Sequence, residues 1–175
     1  MNGRTVDLNV STVLNEILER EGWPTYTDHP NDRGGPTKGG ITLKTLESWR
    51  HRKCSTSELK GLAKGEALNI LQKRYVECNG INKLNDTPLK AQGIDDAVLS
   101  GPYLAVQDLQ RAVGASDDGV IGPRTLDSVE KYGYESASNQ MSVERSLRLA
   151  RFVKNNPNQL VFLVGWLRRS LDFVK

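Results

Sequence analysis

The 175-residue sequence predicts a mainly α-helical fold interrupted by one small loop or β-hairpin insertion. Three observations carry this expectation. Apolar residues recur at helical spacing over most of the chain, and residues 23–40 break that spacing with Pro24, Pro30, Gly34, Gly35, Pro36, Gly39 and Gly40. Downstream, prolines and small polar residues stand where helices begin.

The first helix is read from Val10, Val13, Leu14, Ile17 and Leu18, which lie on one face, with Gly22 as its stop. Thr42 then caps a helix carrying Leu43, Leu46 and Trp49. Another starts near Gly65 and turns Ala67, Leu71, Tyr75 and Cys78 inward. Pro88 opens a helix towards Ser100, and Pro102 opens the next, which buries Ala105, Leu109, Ala112 and Val113 before Gly114 stops it. The loop 117–122 leads to Pro123 and a short helix with Leu126 and Val129. Ser142 and Asn158 are expected to cap two final helices. The last of these is so continuously apolar over 160–167 that it should be buried.

Composition excludes several classes. Hydrophobic residues make up 37% and charged residues 26%, which fits a globular chain and not a disordered one. Cys54 and Cys78, the only cysteines, lack the paired spacing of a zinc site and are expected to be buried thiols. The N-terminus lacks the basic and apolar segments of a secretory signal, and no run reaches the ~20 apolar residues of a membrane span, so stable membrane insertion is not expected. GGPTKGG lacks the residue order of a phosphate loop, and Asp117-Asp118-Gly119 lacks the further ligands of a calcium loop. No metal or other cofactor is expected. Net charge is +3, and residues 140–175 hold seven Lys/Arg against Glu144 and Asp172. That basic end suits anionic polymers, but no nucleic-acid-binding motif accompanies it, so nucleic acid is not expected as a partner.

The chemistry concentrates where the first helix ends. On a helical wheel Glu21 projects onto the apolar face, unlike Glu16 and Glu19. A carboxyl buried there, at the negative end of the helix dipole, is expected to hold its proton towards neutral pH and to serve as a general acid. Of the aromatic residues, Trp23, and less so Trp49 and Tyr103, are candidates for stacking on a ligand.

The segment that begins Glu21-Gly22 and continues through Asp32, Gly34, Gly35, Thr37, Gly40 and Ile41 resembles the signature of the muramidases of glycoside hydrolase family 108. There a helix-ending Glu-Gly precedes Asp-x-Gly-Gly-x-Thr-x-x-Gly-Ile. The resemblance continues through residues 66–75 and 95–101, and residues 105–167 resemble the peptidoglycan-binding-like region often joined to that family. This chain departs from the pattern in placing Trp23 and Pro24 after Glu-Gly, which leaves Asp28 as a rival to Asp32 for the second carboxylate.

The resemblance implies a lysozyme-like helical domain in two regions: a catalytic region, 1–100, and a peptidoglycan-binding-like region, 101–175; the continuously apolar last helix is expected to pack them into one globule. It implies hydrolysis of the β-1,4 bond between N-acetylmuramic acid and N-acetylglucosamine. Glu21 would be the general acid, Asp32 would stabilise the cation or orient water, and Thr37 would help hold that water. Trp23, Tyr26, Gly34, Gly35 and Gly40 would contact the substrate. A lytic transglycosylase or a non-catalytic wall-binding module are the alternatives. The implied partner is bacterial cell-wall peptidoglycan and the implied state a monomer. By resemblance to phage endolysins, the protein would wait in the host cytoplasm and reach the periplasm through a holin, causing bacteriolysis. Arg145, Arg148 and Arg151 recur every three residues and are expected to form an exposed stripe for anionic wall or outer-membrane polymers.

Overall fold

The computed structural model describes residues 9–28, 35–85 and 87–174. The chain is mainly helical, and the described residues hold one three-stranded antiparallel sheet in the order β1-β2-β3. It forms two compact units, Asn9–Arg74 and Tyr75–Lys175.

In Asn9–Arg74, α1 (Val10–Arg20) starts where the Asn9 side chain accepts a hydrogen bond from the Ser11 amide and buries Val13, Leu14, Ile17 and Leu18. Burying each such side chain is worth roughly 1.5–3 kcal/mol. The helix ends in a Schellman turn: Gly22, at φ +86°, donates to the Glu19 carbonyl at 3.0 Å, and Trp23 donates to that of Leu18 at 3.1 Å. The expected insertion is a small sheet. Strand β1 (Tyr26–Thr27) pairs with β2 (Thr37–Lys38), which pairs with β3 (Ile41–Thr42) in the register Thr37↔Thr42 and Lys38↔Ile41. Only Gly39 and Gly40 join β2 to β3, and both take positive φ as a two-residue hairpin requires.

Thr42 caps α2 (Leu43–Arg50) as expected, accepting from the Thr45 amide. Helix α3 (Thr56–Lys60) escaped the sequence reading, although Ser55 and Glu58 form the reciprocal capping box that announces it. Helix α4 (Lys64–Leu71) packs on α1.

Beyond α4 a π-helical turn, Gln72–Glu77, and a kink at Asn79 and Gly80 break the helical phase. The inward face read through Cys78 therefore does not continue. Cys78 is exposed, Cys54 is half-buried, and both are free thiols. In Tyr75–Lys175, α5 (Pro88–Ser100) packs on α6 (Pro102–Ala112) and α8 (Tyr134–Asn155), and α7 (Pro123–Tyr132) lies against α8. Pro88, Pro102 and Pro123 each open their helix as the sequence predicts.

Two expected caps fail. Ser142 lies inside α8, where its hydroxyl bonds back to the Ser138 carbonyl, and Asn158 belongs to a 3₁₀ turn before α9 (Leu160–Leu171). The expected burial of α9 fails too. It docks on α8 with Ser170 buried and Leu163 and Trp166 half-buried, while Leu160, Val161, Phe162 and Val164 stay exposed.

Candidate active site

The end of α1 and the β2–β3 hairpin build the site. Glu21 is the first residue past the regular helix, with φ −77° and ψ 7°, and its amide still donates to the Ile17 carbonyl at 2.9 Å. Because the Schellman turn ends the helix here, extrapolating the wheel misplaces the side chain. Glu21 is exposed, not inward. Its carboxyl lies over the hairpin turn: a Cβ at Gly40 would sit 3.3 Å from Glu21 Cβ, 3.4 Å from Cγ and 3.7 Å from Oε2. Gly40 thus serves the site by having no side chain and by holding φ +78°.

Trp23 fixes the other side of the turn. A Cβ at Gly39 would come within 2.7 Å of Trp23 Cε3 and 3.4 Å of Leu18 Cδ1, so the indole seals the hairpin onto α1. The Gly39 amide also donates to the Thr25 carbonyl. Lys38, which the sequence reading passed over, is buried and holds this assembly. Its ammonium donates to the carbonyls of Lys60 (2.6 Å) and Leu62 (2.9 Å) and lies 4.8 Å from the Trp23 ring centre. A lysine in a two-residue strand carries no periodic signal of burial, so only the packed neighbours disclose it.

The Tyr26 hydroxyl donates to Asp28 Oδ2 at 3.0 Å, and the Lys60 ammonium lies 4.7 Å from the Tyr26 ring centre. Desolvation, then the bond and charge of Asp28, raise this phenol above its usual range. The Thr37 hydroxyl donates to the Gly35 carbonyl at 3.0 Å, which leaves its oxygen free to accept. Glu21, Trp23, Tyr26, Asp28, Gly35, Thr37 and Gly40 therefore belong to one compact unit, while Asp32 and Gly34 lie outside the described residues.

The arginine stripe is corrected outright. Arg145 is 0% exposed, and Arg148 is largely buried. Arg145 pairs with Asp95 (3.1 Å) and Asp96 (3.2 Å), Arg148 with Asp96 (2.8 Å) and Asp108 (2.7 Å), and Arg169 with Asp95 (3.0 Å). Three carboxylates on α5 and α6 turn these guanidiniums inward, and of the stripe only Arg151 is exposed. Helical spacing gives the side a residue faces; it does not say what stands on that side.

The loop 117–122 is likewise held by protein groups. Gln110 donates to Asp118 Oδ1 (2.8 Å), to the Val120 carbonyl and to Thr125, and accepts from the Gly119 amide.

Comparison with known proteins supplies the lineage. The glycosyl hydrolase 108 profile matches residues 14–101, and the profile described as "Predicted Peptidoglycan domain" matches 104–171. The solved structure of Brucella abortus SagA superposes with a TM-score of 0.74 at 32% identity, over 95% of each chain. No functionally curated protein matches. The chain belongs to glycosyl hydrolase family 108 and is a glycosidase that acts on peptidoglycan.

Proposed function

We propose that the protein is a muramidase, hydrolysing the bond between N-acetylmuramic acid and N-acetylglucosamine with Glu21 as general acid. The observation that carries this reading is the Glu21 carboxyl laid across the side-chain-free turn at Gly40. There the turn that ends α1 sets its backbone, its side chain is exposed and open to a sugar, and the adjoining strand β2 bears Thr37. A carboxyl exposed there can be covered by a sugar ring and lie against the leaving oxygen it would protonate. Asp32, or Asp28 held by Tyr26, would then face the developing cation, and the free lone pairs of Thr37 would orient the attacking water.

Glu21→Gln keeps the shape and removes the proton. Solubilisation of purified sacculi should fall by at least roughly 100-fold with an unchanged melting temperature. Released muropeptides should carry reducing N-acetylmuramic acid ends; anhydro ends, lighter by one water, would make the enzyme a lytic transglycosylase instead. Retained activity in a folded Glu21→Gln protein would remove Glu21 from the mechanism.

A further inference from the structure

The end of the α8–α9 hairpin exposes a run of large apolar side chains. Leu160 is 61% exposed, Val161 75%, Phe162 52% and Val164 60%, and Phe152 joins them from α8. Contiguous apolar surface of this kind marks an interaction site in a soluble protein. Beside it lies an open groove of about 510 Å³, with Leu104, Phe152 and Trp166 as walls and Arg151, Asn155 and Gln159 among its polar lining. Trp166 stacks against Phe162 at 5.8 Å and meets Phe152 at 6.0 Å with the rings tilted, forming an aromatic cluster at the groove.

Charge identifies what covers this surface. Residues 146–171 contain no acid and five bases. Two of these, Arg148 and Arg169, are consumed by the buried aspartates. The remaining three, Arg151, Lys154 and Arg168, are exposed and form no ion pair among the described residues. A second copy of the chain docking here would set these like charges against one another. An anionic bilayer would neutralise them while taking up the apolar side chains, with tryptophan at the level of the headgroups. Helix α9, at 12 residues, is about 18 Å long, too short to span a bilayer, and no described helix is long and apolar enough to do so.

We infer that the α8–α9 end is a peripheral binding site for anionic phospholipid bilayers, with Leu160, Val161, Phe162 and Val164 entering the interface and Arg151, Lys154 and Arg168 meeting lipid phosphates. This site shares no residue with Glu21 or the hairpin and does not depend on the bond the enzyme cleaves.

Flotation of the full chain with vesicles of phosphatidylcholine, alone or mixed with phosphatidylglycerol, tests it. Co-flotation with the anionic vesicles is expected, together with its loss in Val161→Asp/Phe162→Asp. Arg151→Gln/Lys154→Gln/Arg168→Gln should weaken it by roughly 100-fold. The substituted positions are exposed, and a cooperative melting curve together with a sacculus-solubilisation assay checks that each variant is the folded enzyme. Failure to float with either vesicle overturns the proposal, as does equal binding to neutral vesicles. A dimer seen by light scattering and abolished by Val161→Asp/Phe162→Asp, without vesicle binding, would assign the surface to a second copy.

Discussion

At the scale of single residues, Gly39 and Gly40 show how two adjacent glycines serve different ends. Both hold positive φ, where a side chain costs about 1–2 kcal/mol. At Gly39 the added methyl also meets the Trp23 ring at 2.7 Å, so Gly39→Ala should chiefly lower the melting temperature. At Gly40 it meets Glu21 Cβ at 3.3 Å and Cγ at 3.4 Å, which pushes Glu21 away by a few tenths of an ångström. Gly40→Ala should therefore cost about 1–2 kcal/mol of stability and, if Glu21 is the acid proposed above, a larger share of activity, at least roughly tenfold, since a displaced carboxyl loses its alignment. Melting curves and sacculus assays on the two variants separate these effects; equal activity losses at matched stability would refute the distinction. The glycine pair and the terminal Glu-Gly were legible in the sequence. The direction of the Glu21 side chain was not, because the wheel assumes a helix that had already stopped.

At the scale of elements, the interface of α5, α6, α8 and α9 is organised around Asp95, Asp96 and Asp108 facing Arg145, Arg148 and Arg169. Removing one member of a buried ion pair leaves an uncompensated charge, so Arg145→Gln should destabilise the protein by about 3–5 kcal/mol. An exposed Arg145 would instead give no measurable change. Burial, opposed by Arg148 and reinforced by Asp96, pushes the Asp108 carboxyl up to about 6. This folded-state value lies above that of the unfolded chain. Its stabilising contribution is therefore complete below about pH 4 and lost as pH rises through 6. Glu58, held down to about 2 chiefly by Arg52, acts oppositely, losing its contribution only as pH falls below about 4.5. Between pH 5 and 7 the Asp108 effect stands apart: acidification should raise the melting temperature, and Asp108→Asn should flatten that slope. An unaltered slope in Asp108→Asn would place the titration elsewhere.

At the scale of the whole molecule, the family profiles meet near residue 102, whereas the compact units divide at Arg74 and Tyr75. Helix α5 thus falls within the catalytic profile but packs on α6 and α8. Ending the chain after Ser100 would strip α5 of both and leave Asp95 and Asp96 without their arginines. The 1–100 fragment should lose the cooperative unfolding of residues 75–100, as followed by circular dichroism and hydrogen exchange. Native-like protection of α5 amides in that fragment would contradict the dependence.

What the sequence determined by itself is local. Apolar spacing and the helix-opening prolines set most helices, the Gly-Gly pair set the tight turn, Thr42 set its cap, and the Glu-Gly signature set the family. These signals act within a few residues, where backbone geometry and capping bonds decide the outcome. Only the tertiary structure decided which faces are covered. It buried Arg145 because Asp95 and Asp96, some 50 positions away, supply its counter-charge, and it buried Lys38 because two carbonyls near α3 receive its ammonium. It also left the apolar start of α9 in solvent because no described element reaches it. Helical periodicity assigns a side chain its angle; whether that angle meets water, a carboxylate or an apolar neighbour depends on residues distant in the chain.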